Sequence, residues 1–282
     1  MKRNVFVPIL LTIISVFAIA PVASAAPKTT AAAGTNNQVG MDVSWPQCGK
    51  ALPTTPAFGI VGVNGGTAST QNQCLATQLA WAKGLSGSVA SQDKVQVYLN
   101  TANPGEIISQ VTTWPTSNTA PIANPYGPCD GTNTTACSWQ YGWNRADYGV
   151  NYFTAEAAKA GLTNTSASAY KWWLDVETGN TWQSGSTAAY QRNVASLEGW
   201  ADYFKNIGAR TGIYSTGYQW GQITNGAVSA TSNLNGLHSW LAGAKTLNGA
   251  KSNCSNPPLT TGGVVALTQY VSAGFDYNNS CI

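Results

Sequence analysis

Apolar positions along the chain alternate between a spacing typical of strands and one typical of helices. Strand-like runs occur at 40–44, 57–63, 94–99, 170–177, 211–215, 238–242 and 264–271. Between them the spacing predicts helices at 73–85, 139–160, 187–207 and 218–223, and a helical turn or two near 107–111. Such alternation indicates parallel strands joined by crossover helices. The pattern therefore predicts an α/β fold, a barrel whose later helices are short.

Polar residues mark the C-terminal ends of these predicted strands. They are Asp42, Asn64, Asn100, Asp175, Glu177, Tyr214 and Gln269. In barrels of parallel strands, functional side chains lie at this end. We therefore expect these residues to face one site.

The run from Tyr170 to Glu177 carries the strongest chemical signal. It is an apolar, aromatic strand that ends in two acids, Asp175 and Glu177. Side chains two residues apart in a strand share a face and lie about 7 Å apart. Two such carboxyls resist ionising together, so the pKa of one tends to rise, and glycoside hydrolysis needs such a proton donor beside a charged partner. The alternative is a strand end at which both acids are simply solvated.

The N-terminal residues predict export. Lys2 and Arg3 precede an apolar run and an Ala-Ser-Ala cleavage pattern, which predicts a signal peptide over 1–25. Residues 26–38 have the composition of a flexible leader, and 39–282 have the length of one barrel domain. No later segment is long and apolar enough to span a bilayer. We therefore expect a secreted protein, extracellular or associated with the cell wall, without membrane contact after cleavage.

Six cysteines follow the signal, and an even number in an exported chain favours disulfides. Six cysteines allow fifteen pairings. We favour pairing between neighbours in the sequence: Cys48 with Cys74, Cys129 with Cys137, and Cys254 with Cys281. The middle pair would staple the Pro- and Asn-rich segment 115–137, which is too long for an ordinary loop.

Composition excludes several other classes. Charged residues are 9% of the chain and the net charge is +3, without the basic patch of a nucleic-acid partner. The single His238 cannot build a multi-histidine metal site or, without a G-x-S-x-G motif, a serine hydrolase triad. No glycine motif for a phosphate is present, so we expect no cofactor and no metal. The 11 Trp and 12 Tyr residues suggest that some stack on sugar rings.

An ordered set of motifs resembles glycoside hydrolase family 25, which includes the Chalaropsis-type lysozymes. The motifs are Gly40-Met-Asp-Val-Ser44, Leu174-Asp-Val-Glu177, Gly212-Ile-Tyr-Ser215, Thr268-Gln-Tyr270 and Phe275-Asp-Tyr-Asn278. The resemblance implies a single domain with an irregular TIM-like β/α barrel. It also implies a secreted muramidase whose partner is peptidoglycan or a related polysaccharide, and we expect a monomer.

The resemblance assigns roles residue by residue. Glu177 matches the family's general acid, and Asp175 the acid that assists the substrate's acetamido group. Asp42 and Asp276 match two further catalytic-site acids. The residues expected to contact substrate are Asn64, Asn100, Tyr214, Trp240, Gln269 and Tyr270.

The chain departs from the family pattern in the cleft. Gly62-Val-Asn-Gly-Gly66 lacks the family's lysine, and Tyr98-Leu-Asn100 lacks its histidine. The chain is therefore expected in a divergent branch. The alternative to a hydrolase is a non-catalytic protein that binds cell-wall carbohydrate on the same barrel.

Overall fold

The computed structural model describes residues 38–282. The predicted signal peptide, 1–25, and all but the last residue of the predicted leader, 26–38, lie outside the described residues. Among residues 38–282, no helix combines the length and the apolar character needed to cross a bilayer.

Eight strands close into one barrel, and they follow one another around it in sequence order. The strands are β1 Val39–Val43, β2 Gly59–Gly62, β3 Val95–Asn100, β4 Lys171–Asp175, β5 Arg210–Ser215, β6 His238–Ala244, β7 Val265–Ser272 and β8 Phe275–Ser280. The helices within 38–282 are α1 Leu75–Lys83, α2 Thr135–Lys159, α3 Thr187–Asn206, α4 Gly217–Thr224 and α5 Leu247–Asn253. Short 3-10 turns lie at Trp45–Gln47, Gly105–Gln110 and Ala167–Ala169. The predicted β/α barrel is confirmed.

The barrel is irregular in its later part, where the helices are short. Successive strands from β1 to β7 pair in parallel, and the pairing of β6 with β7 contains shifts of register. Strand β8 is antiparallel to both β7 and β1. The sequence pattern missed β8 and α5, because both are short and polar.

The antiparallel direction of β8 follows from its connection to β7. Only Ala273 and Gly274 separate the two strands, and both have positive φ angles, 50° and 79°. A two-residue turn of this kind builds a hairpin, whereas a parallel neighbour requires a long crossover. The expectation of parallel strands therefore holds for seven strands and fails for the eighth.

The core has two layers, one between the strands and the helices and one inside the barrel. Side chains along β4 alternate between these two layers. Trp172, Leu174 and Val176 pack outward against the helices, in a cluster that includes Phe204 of α3. Trp173 belongs to a second buried cluster with Phe58, Ile60, Trp240 and Leu267, whose alternation places them inside the barrel. A floor of large side chains therefore closes the barrel below its C-terminal end.

The three disulfides join the predicted neighbours, and no cysteine is free. Cys129–Cys137 connects the end of the long segment to the first turn of α2. Cys254–Cys281 connects the residue after α5 to the residue after β8. The predicted pairing is confirmed.

Helices α2 and α3 approach each other through two glycines. A Cβ atom added at Gly142 would lie 2.0 Å from the backbone oxygen of Ser196, and one at Gly199 would lie 2.0 Å from that of Trp139. Real Cβ atoms do not come this close to a backbone oxygen. The close contact of the two longest helices therefore requires glycine at both positions.

We expect Gly142→Ala to destabilise the protein by about 2 kcal/mol, because overpacking outweighs the better helix propensity of alanine. Gly221→Ala in α4 is the matched control, since nothing lies within 4 Å of its added Cβ. That control should be neutral or stabilise the fold by up to about 1 kcal/mol. Urea unfolding of both variants tests the contact, and equal effects would refute it.

Candidate active site

Four carboxyl side chains surround one cavity at the C-terminal end of the parallel strands. Asp42 comes from β1, Asp175 ends β4, Glu177 follows two residues later, and Asp276 lies near the start of β8. The cavity has a volume of about 160 Å³. Its lining is Asp42, Tyr98, Asp175, Glu177, Tyr214, Trp240, Gln269 and Asp276.

Strand register explains why these side chains meet. Asp42 and Asp276 are direct partners across β1 and β8, and Tyr214 pairs with Asp175 on one side and with Trp240 on the other. Val176 is buried in the outer layer between Asp175 and Glu177, as strand alternation requires. The expected convergence of the four acids is therefore observed, while their chemical roles stay predictions.

Asp42 is buried and held by two amides. Its Oδ1 accepts from Gln269 Nε2 at 3.0 Å and from Asn278 Nδ2 at 2.8 Å. Tyr214 in turn donates its hydroxyl to Gln269 Oε1 at 2.8 Å. Burial, followed by the charge of Asp276, raises the pKa of Asp42 from 3.8 to about 8, although the two amide hydrogen bonds oppose this shift.

Asp175 is buried with less support. Its side chain is 5% exposed, and Oδ1 has no hydrogen-bond partner within residues 38–282. Burial first, and then the negative charges of Glu177 and Asp42, raise the pKa of Asp175 well above its usual value. Asp175 therefore holds its proton to higher pH than an isolated carboxyl would.

Glu177 and Asp276 lie closer to solvent, and both are half-buried. Gln219 Nε2, from the first turn of α4, donates to Glu177 Oε1 at 3.3 Å. Burial, followed by the charge of Glu177, raises the pKa of Asp276. The more accessible acids thus surround the entrance, and Asp42 and Asp175 lie deeper.

Aromatic rings form the apolar side of the cavity. The rings of Tyr214 and Trp240 have centroids 4.4 Å apart, and Tyr98 meets Trp240 edge-on at 6.3 Å. The indole N–H of Trp240 has no hydrogen-bond partner in the described part of the chain. An apolar wall with a few polar groups is typical of a small-molecule or sugar site.

Three of the expected substrate contacts do not line this cavity. Asn64 and Asn100 bond to each other through three hydrogen bonds of 2.9–3.0 Å, which connect the ends of β2 and β3. Tyr270 stacks on Tyr277 outside the barrel, beside Ala250 of α5. Consecutive strand residues face opposite sides, so Tyr270 cannot share a cavity with Gln269.

Three residues of the site were not predicted. Tyr98 could have been found, because it lies two residues before Asn100, the polar residue that marks the end of this strand, and alternation gives the two the same face. Asn278 lies on β8, which was not predicted. Gln219 reaches Glu177 from α4, and no sequence signal indicates that contact.

A second cavity lies at the opposite end of the barrel and has a volume of about 280 Å³. Lys171, Arg210 and His238, each the first residue of its strand, line it together with Asp93. His238 is thus far from the four acids in the fold. Among residues 38–282, no group of three or more acid, histidine or cysteine side chains is arranged to hold a metal ion.

Comparison with known proteins finds a similarity in part of the chain. The protein-family model described as Lysozyme-like protein 1 matches residues 151–252, the segment that carries Asp175, Glu177, Tyr214 and Trp240. The match covers fewer than half of the residues of the chain, and it shows a similarity to that family over 151–252. No curated protein matches the chain.

Two solved structures of the modular Cpl-1 endolysin are similar to the chain. The wild-type endolysin complexed with a peptidoglycan analogue has 16% identity and a TM-score of 0.45, over 87% of this chain and 54% of that one. A mutant in complex with a tetrasaccharide-pentapeptide has the same identity and TM-score, over 86% and 54%. The chain thus spans about half the length of these endolysins.

The raised pKa of Asp42 predicts a pH-dependent stability. Folded Asp42 keeps its proton to about pH 8, whereas the unfolded residue releases it near 3.8. The folded state therefore binds more protons within this window, and its stability falls as pH rises through it. We expect Asp42→Asn to remove that loss and to stabilise the protein by at least about 1 kcal/mol at pH 8, with little gain near pH 4.

Urea unfolding at pH 4, 6 and 8 measures this effect. Asp130→Asn is the control, because hydrogen bonds from Thr132 lower the pKa of this exposed acid. It should show no gain at pH 8. A pH-independent effect of Asp42→Asn would contradict the assignment.

Proposed function

We propose that the chain is a secreted glycoside hydrolase that cleaves the glycan strands of bacterial peptidoglycan in the manner of a lysozyme. The observation that carries this proposal is the convergence of four carboxyls on one aromatic-walled cavity at the C-terminal end of the barrel. Glycosidases need a proton donor and a second carboxylate at an oxocarbenium-like transition state. The lysozyme-like match to residues 151–252 supports the same class.

Glu177 is the proposed general acid. It is the half-exposed member of the Asp175–Glu177 pair, so a bound glycan can reach it and water can reprotonate it. Its carboxyl is held by Gln219 Nε2 and faces the cavity. A donor that is both positioned and accessible fits proton transfer to a glycosidic oxygen.

Asp175 is the proposed partner of the substrate's acetamido group. Its Oδ1 is a buried acceptor without a hydrogen bond, and an amide N–H from the sugar would satisfy it. Such a bond favours the ionised form of Asp175. The N–H of the bound acetamido group thus compensates for the burial and the neighbouring charges that raise the pKa of Asp175.

In the proposed reaction Glu177 is the proton donor and ionised Asp175 is the partner of the acetamido group. The acetamido oxygen attacks the anomeric carbon as the glycosidic C–O bond breaks, and Glu177 gives its proton to the leaving oxygen. Ionised Asp175 accepts the N–H of the positively charged ring that forms. Water, deprotonated by Glu177, then opens this ring and restores the acid.

Asp42 and Asp276 are neighbouring acids that assist the same cleavage step. They face each other across β1 and β8, and Asp42 is fixed by Gln269 and Asn278. Their negative charge, when present, stabilises the positive charge that develops on the sugar ring. Tyr214, Trp240 and Gln269 supply the wall against which the sugar binds.

We also propose that the protein is exported and monomeric. The predicted signal peptide over 1–25 and the predicted domain over 39–282 agree with three disulfides, which persist in oxidising compartments. No cofactor, metal or nucleic acid takes part in the proposed chemistry.

A non-catalytic wall-binding protein is the second candidate. The observation that favours it is that burial raises the pKa of Asp42, Asp175 and Asp276, so these three acids hold their protons to higher pH than isolated carboxyls would. Such a site would bind a neutral sugar without stabilising a cationic transition state. Binding without cleavage is therefore the outcome that identifies this candidate.

We expect Glu177→Gln to lower the rate of peptidoglycan cleavage by at least about 100-fold, because glutamine keeps the shape but has no transferable proton. Binding of wall glycan should be kept. Loss of turbidity of a cell-wall suspension measures cleavage, and a pull-down with insoluble wall measures binding.

Two matched variants sharpen this test. Asp175→Asn should also be severely impaired, since the acetamido group would lose its charged partner. Glu106→Gln is the same change at an exposed position outside the cavity and should cleave like the wild type. Wild-type turnover by Glu177→Gln would eliminate the mechanism, and a wild type that binds without clearing the suspension would establish the binding protein.

A further inference from the structure

Two aromatic side chains are exposed at the C-terminal end of the barrel. Tyr218 is 74% exposed and Trp45 is 51% exposed. Neither has a ring contact with another aromatic residue or a side-chain hydrogen bond within residues 38–282. By contrast, exposed Tyr126 donates to Glu198, and exposed Tyr148 lies under the guanidinium of Arg145. Trp45 and Tyr218 thus present large apolar surfaces that the protein itself does not use.

Both residues directly follow strands that carry the site. Trp45 starts the turn after β1, three residues beyond Asp42. Tyr218 is the second residue of α4, next to Gln219, whose amide reaches Glu177. Each aromatic residue therefore lies within three residues of one that forms or supports the acid cavity.

The closed strand order puts the two residues on opposite sides of the cavity. Strands β1 and β5 are four positions apart in a ring of eight, which is the largest separation that the barrel allows. Eight strands about 4.8 Å apart, tilted by about 36°, give a barrel roughly 15 Å across. A ligand that touches both aromatic residues must pass over the four acids between them.

The backbone near Trp45 fixes its ring. A Cβ atom at Gly66, which has a φ of 92°, would lie 2.6 Å from the indole nitrogen. Glycine thus allows the indole edge to lie against the loop after β2 while half of the side chain stays in solvent. A ring held in this way loses little conformational entropy when a ligand stacks on it.

We propose that Trp45 and Tyr218 are two stacking platforms for a single oligosaccharide that crosses the acid cavity. The apolar C–H faces of sugar rings stack on such exposed rings, and the acids between them meet the middle of the chain. Because the span exceeds one disaccharide, the platforms select long glycan chains over short ones. This inference rests on the proposed glycan substrate but not on its cleavage.

Calorimetric binding tests the inference, with Glu177→Gln as the background so that no ligand is cleaved. The probes are a disaccharide and a hexasaccharide of alternating N-acetylglucosamine and N-acetylmuramic acid. Trp45→Ala and Tyr218→Ala should each weaken hexasaccharide binding about three- to tenfold and change disaccharide binding by less than about twofold. The double variant should lose about the product of the two factors, since the sites are far apart.

Control variants separate stacking from folding. Trp45→Phe and Tyr218→Phe keep a ring and should keep most of the affinity. Tyr148→Ala removes an exposed tyrosine on α2 and should bind both probes like the background. Unchanged hexasaccharide binding in either alanine variant, or an equal loss for the disaccharide, overturns the two-platform inference.

Clearing of a wall suspension by the wild type tests the proposed hydrolase independently of the platforms. A wild type that shows this length dependence but never clears a wall suspension supports the platforms and refutes the hydrolase. A wild type that clears the suspension, with alanine variants that bind the hexasaccharide equally well, supports the hydrolase and refutes the platforms.

Discussion

The pairing of β8 with β1 is the constraint on which the rest of the structure depends. It closes a sheet that would otherwise expose two strand edges, and it places Asp276 directly across from Asp42. The same strand supplies Asn278, which donates to Asp42. Because β8 runs antiparallel, its first residues lie beside the last residues of the parallel strands. The strand that closes the barrel is therefore also the strand that completes the acid cluster.

Burying carboxyls close together destabilises the folded protein. The surrounding residues determine how far hydrogen bonds and protonation offset this effect. Asp42 receives two amide hydrogen bonds, whereas Asp175 Oδ1 receives none. Burial raises the pKa of both, so the resting site holds protons where isolated carboxyls would be charged. Trp173 and Trp240, which are both almost fully buried, form an apolar floor below the cluster. Functional sites are commonly less stable than the folds that carry them.

Much of this arrangement follows from sequence periodicity. The alternation along β4 predicts that Asp175 and Glu177 share a face, and the same rule accounts for Tyr98 and excludes Tyr270. Periodicity could not predict β8, because Phe275–Ser280 is polar and its place is set by closure of the barrel. Nor could it show that Asn64 and Asn100 bond to each other, or that Gln219 reaches Glu177 from another element. Contacts between distant elements depend on the register of the whole barrel.

The Cys254–Cys281 bridge gives the closing strand a covalent anchor. It connects the residue after α5 to the residue that follows β8, so the strand is fastened at the end farthest from Asp276. The bridge adds a covalent link to the hydrogen bonds that pair β8 with β1 and β7. In a reducing compartment β8 would lose this covalent link and would be held beside β1 and β7 by hydrogen bonds alone. The bridge outside the cavity thus fastens the same strand that carries Asp276 and Asn278.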